Sequence, residues 1–156
     1  MSRDEELMAR ALEVARGAQR AGEPPFGALV VAPDGAVVAE ATDEVNAQRD
    51  FTWHAEVGAV RRACAAVGPD LQGYTLYTTV EPCPMCFTAA WLARISRIVF
   101  GCTMAEVTKA TGGAQRELAV PAQWMNEHSG APLDLVGGVL DDQCLALFGQ
   151  AGVQRG

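Results

Sequence analysis

The stretch YTLYTTVEPCPMCFTAAWLARISRIVFG, residues 74–101, decides the fold. Tyr74 to Val80 is a run of β-branched and aromatic residues that suits a pleated strand. Pro84 then falls where a helix can begin, because in the first turn its missing N–H has no intrahelical partner to lose. The helix it opens, up to about Ala93, is apolar nearly all round and is therefore predicted to be buried. Arg97 to Gly101 reads as a second strand. Strand, helix and strand in that order predict a right-handed parallel crossover, and ligands in such sheets bind beyond the carboxyl ends of the strands.

Working outward, Ser2 and Glu5 form a capping-box pattern, and Leu7, Ala11, Val14, Ala15 and Ala18 recur at helical spacing until Gly22, Pro24 and Pro25. Phe26 to Ala32 and Ala36 to Ala41 are β-rich runs around the turn residues Pro33, Asp34 and Gly35, which predicts a hairpin. Val57, Val60, Ala63, Cys64 and Val67 mark a second helix ended by Gly68 and Pro69. Toward the C-terminus, Cys102 to Pro132 reads as irregular and Leu133 to Val139 as a last strand. Asp141 or Asp142 is expected to cap a short helix through Phe148. The order predicts an α/β fold: a three-layer α/β/α sandwich with a central mixed five-stranded sheet, antiparallel only at its first hairpin. At 156 residues the chain is expected to form one domain, residues 1–156.

Hydrophobic residues at 49% and charged residues at 20% exclude a disordered or collagen-like chain. Twelve Lys and Arg against nineteen Asp and Glu give a charge of -7, and Lys109 is the single lysine. That sign opposes binding through phosphates, so nucleic acid is not an expected partner. No apolar run reaches the roughly 18 residues that span a bilayer, and Met1 to Glu6 is charged, so a soluble cytoplasmic protein with no membrane contact is expected. The odd count of cysteines, Cys64, Cys83, Cys86, Cys102 and Cys144, predicts reduced thiols. Cys64, Cys102 and Cys144 fall in apolar patterns and read as small buried hydrophobes.

The chemistry lies in His54-Ala55-Glu56 and Pro82-Cys83-Pro84-Met85-Cys86. Cys83 and Cys86 stand at i, i+3, which puts two thiols on one face of a helix start, where the dipole favours thiolate. Two thiolates with one imidazole suit Zn²⁺. In an ideal helix His54 and Glu56 would diverge by about 200°, so His54 is expected where the chain enters the helix. Three protein ligands leave a fourth position for water, whose pKa the metal pulls from 15.7 toward about 7. Glu56 then stands as a general base.

At these residues the sequence resembles the zinc-dependent cytidine and adenosine deaminase superfamily, whose signature is H-x-E with P-C-x-x-C. Pro25-Phe26-Gly27-Ala28 and the run Thr79 to Cys86 look like the bacterial guanine deaminases and, a little less, the tRNA adenosine deaminases. The resemblance covers residues 5 to 101, is weaker at the last strand and helix, and is poor between Cys102 and Pro132. It implies a cytidine deaminase-like fold with one Zn²⁺ per subunit on His54, Cys83 and Cys86, and Glu56 as the proton shuttle for hydrolytic release of ammonia. It further implies a homodimer. The expected substrate is a free nucleobase or related amino heterocycle, with a guanine-type purine favoured.

Asp43 stands where base-deaminating relatives usually carry asparagine, eleven residues before the zinc histidine. A carboxylate only accepts hydrogen bonds, so Asp43 predicts a substrate with a donor edge there; a slipped alignment would give this place to Asn46. Phe26, Ala55 and Trp53 are further candidate substrate contacts, Phe26 and Trp53 by stacking on a planar ring. Trp124 could close the site from the long loop, His128 reads as a solvated loop residue, and Glu81 as a structural hydrogen-bonding residue. Two alternatives stand beside the main reading. One is a tRNA adenosine deaminase; the other is a catalytically silent module stabilised by zinc, which would need a fourth protein ligand from Cys64, Cys102 or His128.

Overall fold

The computed structural model describes residues 1–149. Its elements are helix α1 (Arg3–Arg20), strands β1 (Gly27–Val31) and β2 (Val37–Thr42), helix α2 (Ala55–Val67), strand β3 (Thr75–Val80), helix α3 (Pro84–Leu92), strand β4 (Arg97–Cys102), helices α4 (Met104–Ala110) and α5 (Ala122–Glu127), strand β5 (Asp134–Val136), helix α6 (Asp141–Ala146) and a 3-10 turn, Leu147–Gly149. The sheet is mixed and five-stranded, in the order β2-β1-β3-β4-β5. β3, β4 and β5 run parallel, whereas β1 is antiparallel to both of its neighbours. The expected antiparallel character is therefore not confined to the hairpin: β1 is inserted between β2 and β3, and α2 crosses over it. The side chains of β1 are all buried, and those of β3 and β4 nearly so, as expected for strands covered on both faces.

Neighbouring residues of β2 show the two covering layers. Glu40 accepts a 2.7 Å bond from Arg10 of α1, while Ala41 lies under Gly58 of α2. Adjacent strand residues point to opposite faces, so α1 and α2 sandwich the sheet. α1 sits very close to β1: a Cβ on Gly27 would lie 2.5 Å from the Ala11 carbonyl oxygen and 2.6 Å from the Ala15 nitrogen. Gln19 of α1 donates to the Leu147 carbonyl, which puts the C-terminal turn on the α1 side. α2, α3 and α5 pack in succession on the other. The capping box at Ser2 and Glu5 forms as expected. No helix among the described residues is long and apolar enough to cross a membrane.

Two expectations are corrected. Cys102 to Pro132 is not irregular, because α4 and α5 form within it; α4 is opened by a second capping box, Thr103 with Glu106. Neither Asp141 nor Asp142 caps α6. Leu140 holds that place in the left-handed region at φ 52, with no side-chain cap bond, and both aspartates lie in the first turn. The tail from residue 150, which reads in the sequence as frayed, lies outside the described residues.

At the amino end of the parallel strands, Asp4 of α1 accepts two bonds from the Arg97 guanidinium (2.8 and 2.7 Å) and one from the Tyr77 hydroxyl (2.6 Å). Arg97 also reaches Asp134 of β5 at 3.1 Å. The Arg97 bonds hold the Asp4 carboxyl below its usual range, while burial and the Asp4 bond push Tyr77 up to about 12. Asp4→Asn should therefore cost about 2 kcal/mol at pH 7 in urea unfolding, as for a paired, partly buried charge. The contribution belongs to a carboxylate whose folded pKa is depressed. It is complete above the unfolded value, about 4, and lost as pH falls through the folded one. The gap between wild type and variant should accordingly close below pH 4.

Candidate active site

Two helix starts converge at the carboxyl end of β3. His54 is the N-cap of α2 and Cys83 the N-cap of α3, both in extended backbone and neither using its side chain as a cap. Their side chains are thus available for other work. Cys86 follows one turn into α3. The Nδ1 atom of His54 lies 3.6 Å from the Cys83 sulfur and 3.4 Å from that of Cys86. All three donor atoms fall within 4.8 Å of one another, and all three residues are buried.

The set can be tested against zinc by distance. With Zn–S near 2.3 Å and Zn–N near 2.0–2.1 Å, a tetrahedral angle separates sulfur from nitrogen by about 3.6 Å. The observed spacings match, and the donor types are those zinc prefers. A hydrogen bond from Cys86 holds the Cys83 thiol down to about 4, against burial, which pushes it up; His54 acts in the same direction as Cys86. A divalent metal binds the thiolate, the form that Cys83 is poised to supply.

None of the three candidates for a fourth ligand joins the cluster among the described residues. Cys102 is buried with Cys144, and burial raises both thiols, Cys144 to about 12. Cys64 is half-buried on α2. His128 is an exposed C-cap of α5, stacked on Trp124 at 4.0 Å.

Glu56, two residues into α2, is 1% exposed, and α2 carries it on the same first turn that His54 caps. Asp43 is 0% exposed just beyond β2, and its Oδ1 accepts from the Val45 amide at 3.1 Å. Asn46, the alternative for this place, donates its side-chain amide to the Gly22 carbonyl at 3.0 Å. Phe26 is 1% exposed and packs edge-on against Phe148 at 5.1 Å. Ala55, the first residue of α2, is fully buried. Trp53 is half-buried against Gly58, with the Arg61 guanidinium 6.0 Å from its ring centre. Trp124 is 53% exposed beside Phe87 and Trp91 of α3.

Two buried glutamates hold the surrounding loops, and sequence reasoning foresaw only one of them. Glu81 accepts from the Met104 and Ala122 amides, as its expected hydrogen-bonding role requires. Glu23 accepts from the Asn46 and Ala47 amides, both at 2.8 Å, and so fixes the loop that leads to His54. The only signal for Glu23 is an acid between a helix end and two prolines; its partners are backbone groups, which no side-chain pattern reveals.

Residues 1–102 match the family described as the cytidine and deoxycytidylate deaminase zinc-binding region. The tRNA(Ile)-lysidine synthase of Deinococcus deserti is 46% identical over 95 residues, 60% of this chain and 18% of that protein, so the match spans only a small part of the synthase. The tRNA-specific adenosine deaminase of Bacillus subtilis is 35% identical over 145 residues, covering 92% of this chain and 85% of the relative. The guanine deaminase of the same species is 41% identical over 87 residues, 55% of each chain. Among solved structures, a guanine deaminase from Nitrosomonas europaea shares the fold at a TM-score of 0.79 and 25% identity, covering 92% of this chain and 81% of the other. The donor geometry and these likenesses agree, and the chain belongs to the zinc-binding cytidine and deoxycytidylate deaminase family.

Proposed function

We propose that this protein, a single domain over residues 1–156, is a hydrolytic deaminase of a free nucleobase or related amino heterocycle, with a guanine-type purine favoured. The observation that carries this reading is a three-donor metal cluster with a buried acid, Glu56, on the adjoining helix turn and no fourth protein donor among the described residues. His54, Cys83 and Cys86 would hold a zinc ion, which would supply a water acidified toward neutrality. Glu56 would take one proton from the attacking water and pass it to the ring nitrogen, then take the second from the new hydroxyl as it becomes the carbonyl and pass it to the departing amine. The balance is one water consumed, one C–N bond broken, one carbonyl formed and one ammonia released.

Asp43 gives the substrate preference its direction. A buried carboxylate accepts N–H bonds and repels a ring carbonyl, so a ring with an amino or N–H edge fits at that point. The likeness to guanine deaminases and the charge of -7 favour a free base. The 92% coverage by a tRNA adenosine deaminase keeps adenosine in tRNA as the second reading.

Ammonia release is to be measured on zinc-loaded protein against guanine, adenine, cytosine, isocytosine, aminopterins, aminotriazines, their nucleosides and a tRNA anticodon stem-loop, with Glu56→Ala as the blank. Turnover of one free heterocycle is the expected result; turnover of the stem-loop alone would replace it with the second reading. Asp43→Asn should reorder the preference among bases, and an unchanged order would remove Asp43 from recognition.

We further place the protein in the cytoplasm as a homodimer. α3 carries no charged residue, yet Met85 is 36% and Leu92 70% exposed, and Trp124 of α5 lies alongside. A second copy covering this face would account for that. Sedimentation should give twice the chain mass, and Leu92→Glu should return it to one.

A further inference from the structure

Glu81 lies two residues before Cys83 and is 7% exposed. A carboxylate so far from water needs partners. Each oxygen has one, and both are backbone donors: Oε1 accepts from Met104 at 3.0 Å and Oε2 from Ala122 at 2.8 Å. Met104 and Ala122 are the first residues of α4 and α5. Their N–H groups are among those a helix leaves without an intrahelical acceptor, and negative charge is favoured there. One carboxylate therefore closes two helix starts that are 18 positions apart in sequence.

These helices are seven and six residues long, too short to persist without tertiary support. α5 has no side-chain cap of its own, since its N-cap is Pro121. They also belong to different sides of the fold, α4 packing against α6 and the last turn, and α5 against α3. Glu81, Ala105 and Pro121 stand between two cavities of about 380 and 700 Å³, whose walls are largely the segments that the carboxylate fastens. The Glu81 amide meanwhile donates to the Cys102 carbonyl at 2.8 Å, fixing the backbone from which the carboxylate reaches out.

We propose that Glu81 is a positioning residue for the deaminase reaction: it docks the starts of α4 and α5 on the cysteine turn and so sets the wall that encloses the substrate. The proposal rests on the deaminase reading above. Glu81 is not among the clustered donors and both its oxygens are taken by backbone amides, so it acts on how the substrate is held, and metal binding and proton transfer stay with their own residues.

Glu81→Gln keeps the shape but retains one acceptor, turning an NH₂ group toward a backbone donor. One helix start is then released. Amide hydrogen exchange at Met104 or Ala122 should quicken about tenfold or more, with zinc still at one per chain. With the free base that wild type turns over fastest in the panel, KM should rise about tenfold while kcat stays within about threefold.

Ala122→Pro tests the same clasp from the other side, and carries the test should Glu81→Gln fail to fold. It deletes the donor at a first helical position that tolerates proline, after Pro121, whose ψ of 144 suits a following proline. The same rise in KM is expected. Unchanged exchange at both amides in Glu81→Gln, loss of zinc along with the helices, or a fall in kcat at constant KM would each overturn the proposal. The exchange measurement needs no substrate, so a failed clasp and a failed deaminase reading give different results.

Discussion

Glu56→Gln should bind zinc at one per chain and release ammonia at least about 10³-fold more slowly than wild type, the loss expected when a proton carrier is removed. Glutamine matches glutamate in size, so the 1% exposed site at the start of α2 stays filled, and the amide cannot take a proton from water at neutral pH. Metal content is the decisive companion measurement. The three clustered donors are His54, Cys83 and Cys86, and Glu56 is not one of them. Lost turnover with full zinc assigns Glu56 to proton transfer. If zinc departs with the activity, Glu56 supports the metal and the reading of its role falls.

Cys86→Ser should abolish both zinc and turnover, and should lower the thermal midpoint by about 10 °C, the shift for losing a ligand present at roughly a thousand times its dissociation constant. Cys86 is 0% exposed and its sulfur stands 3.4 Å from the His54 nitrogen. A serine hydroxyl there is a shorter, harder donor that gives up its proton far less readily. Wild type stripped by a chelator should melt at the variant's temperature, and the chelator should leave the variant unmoved. A variant that keeps its zinc would show that two protein donors suffice.

The metal-donor cluster was largely legible in the sequence because its signals are local. His54 with Glu56, and Cys83 with Cys86, are short spacings, and each pair sits where a helix begins; the prediction that His54 marks the entry of its helix follows from the divergence of i and i+2 alone. The outer helices are another matter. α4 announces itself by Thr103 and Glu106, a capping box overlooked beside Gly112, Gly113 and Pro121. α5 has no such mark, since six residues that follow a proline hold their shape through Glu81, 41 positions away. Phe26 shows the same limit: the ring it packs against, Phe148, comes from the far end of the described chain, where no local pattern could signal it.

The place of β1 in the sheet governs the order in which the chain can assemble during its synthesis. β1 and β2 are neighbours in sequence and can pair as soon as both emerge, and α1 can settle on them through Gly27. The other flank of β1 stays bare until β3 arrives, after all of α2 has been made. Asp4 waits longer still, for Arg97, 93 residues downstream. Contacts across such separations cost loop entropy before they return any stability. A nascent chain ending short of β4 therefore presents an unpaired strand edge and a half-anchored first helix, the kind of surface on which neighbouring chains aggregate.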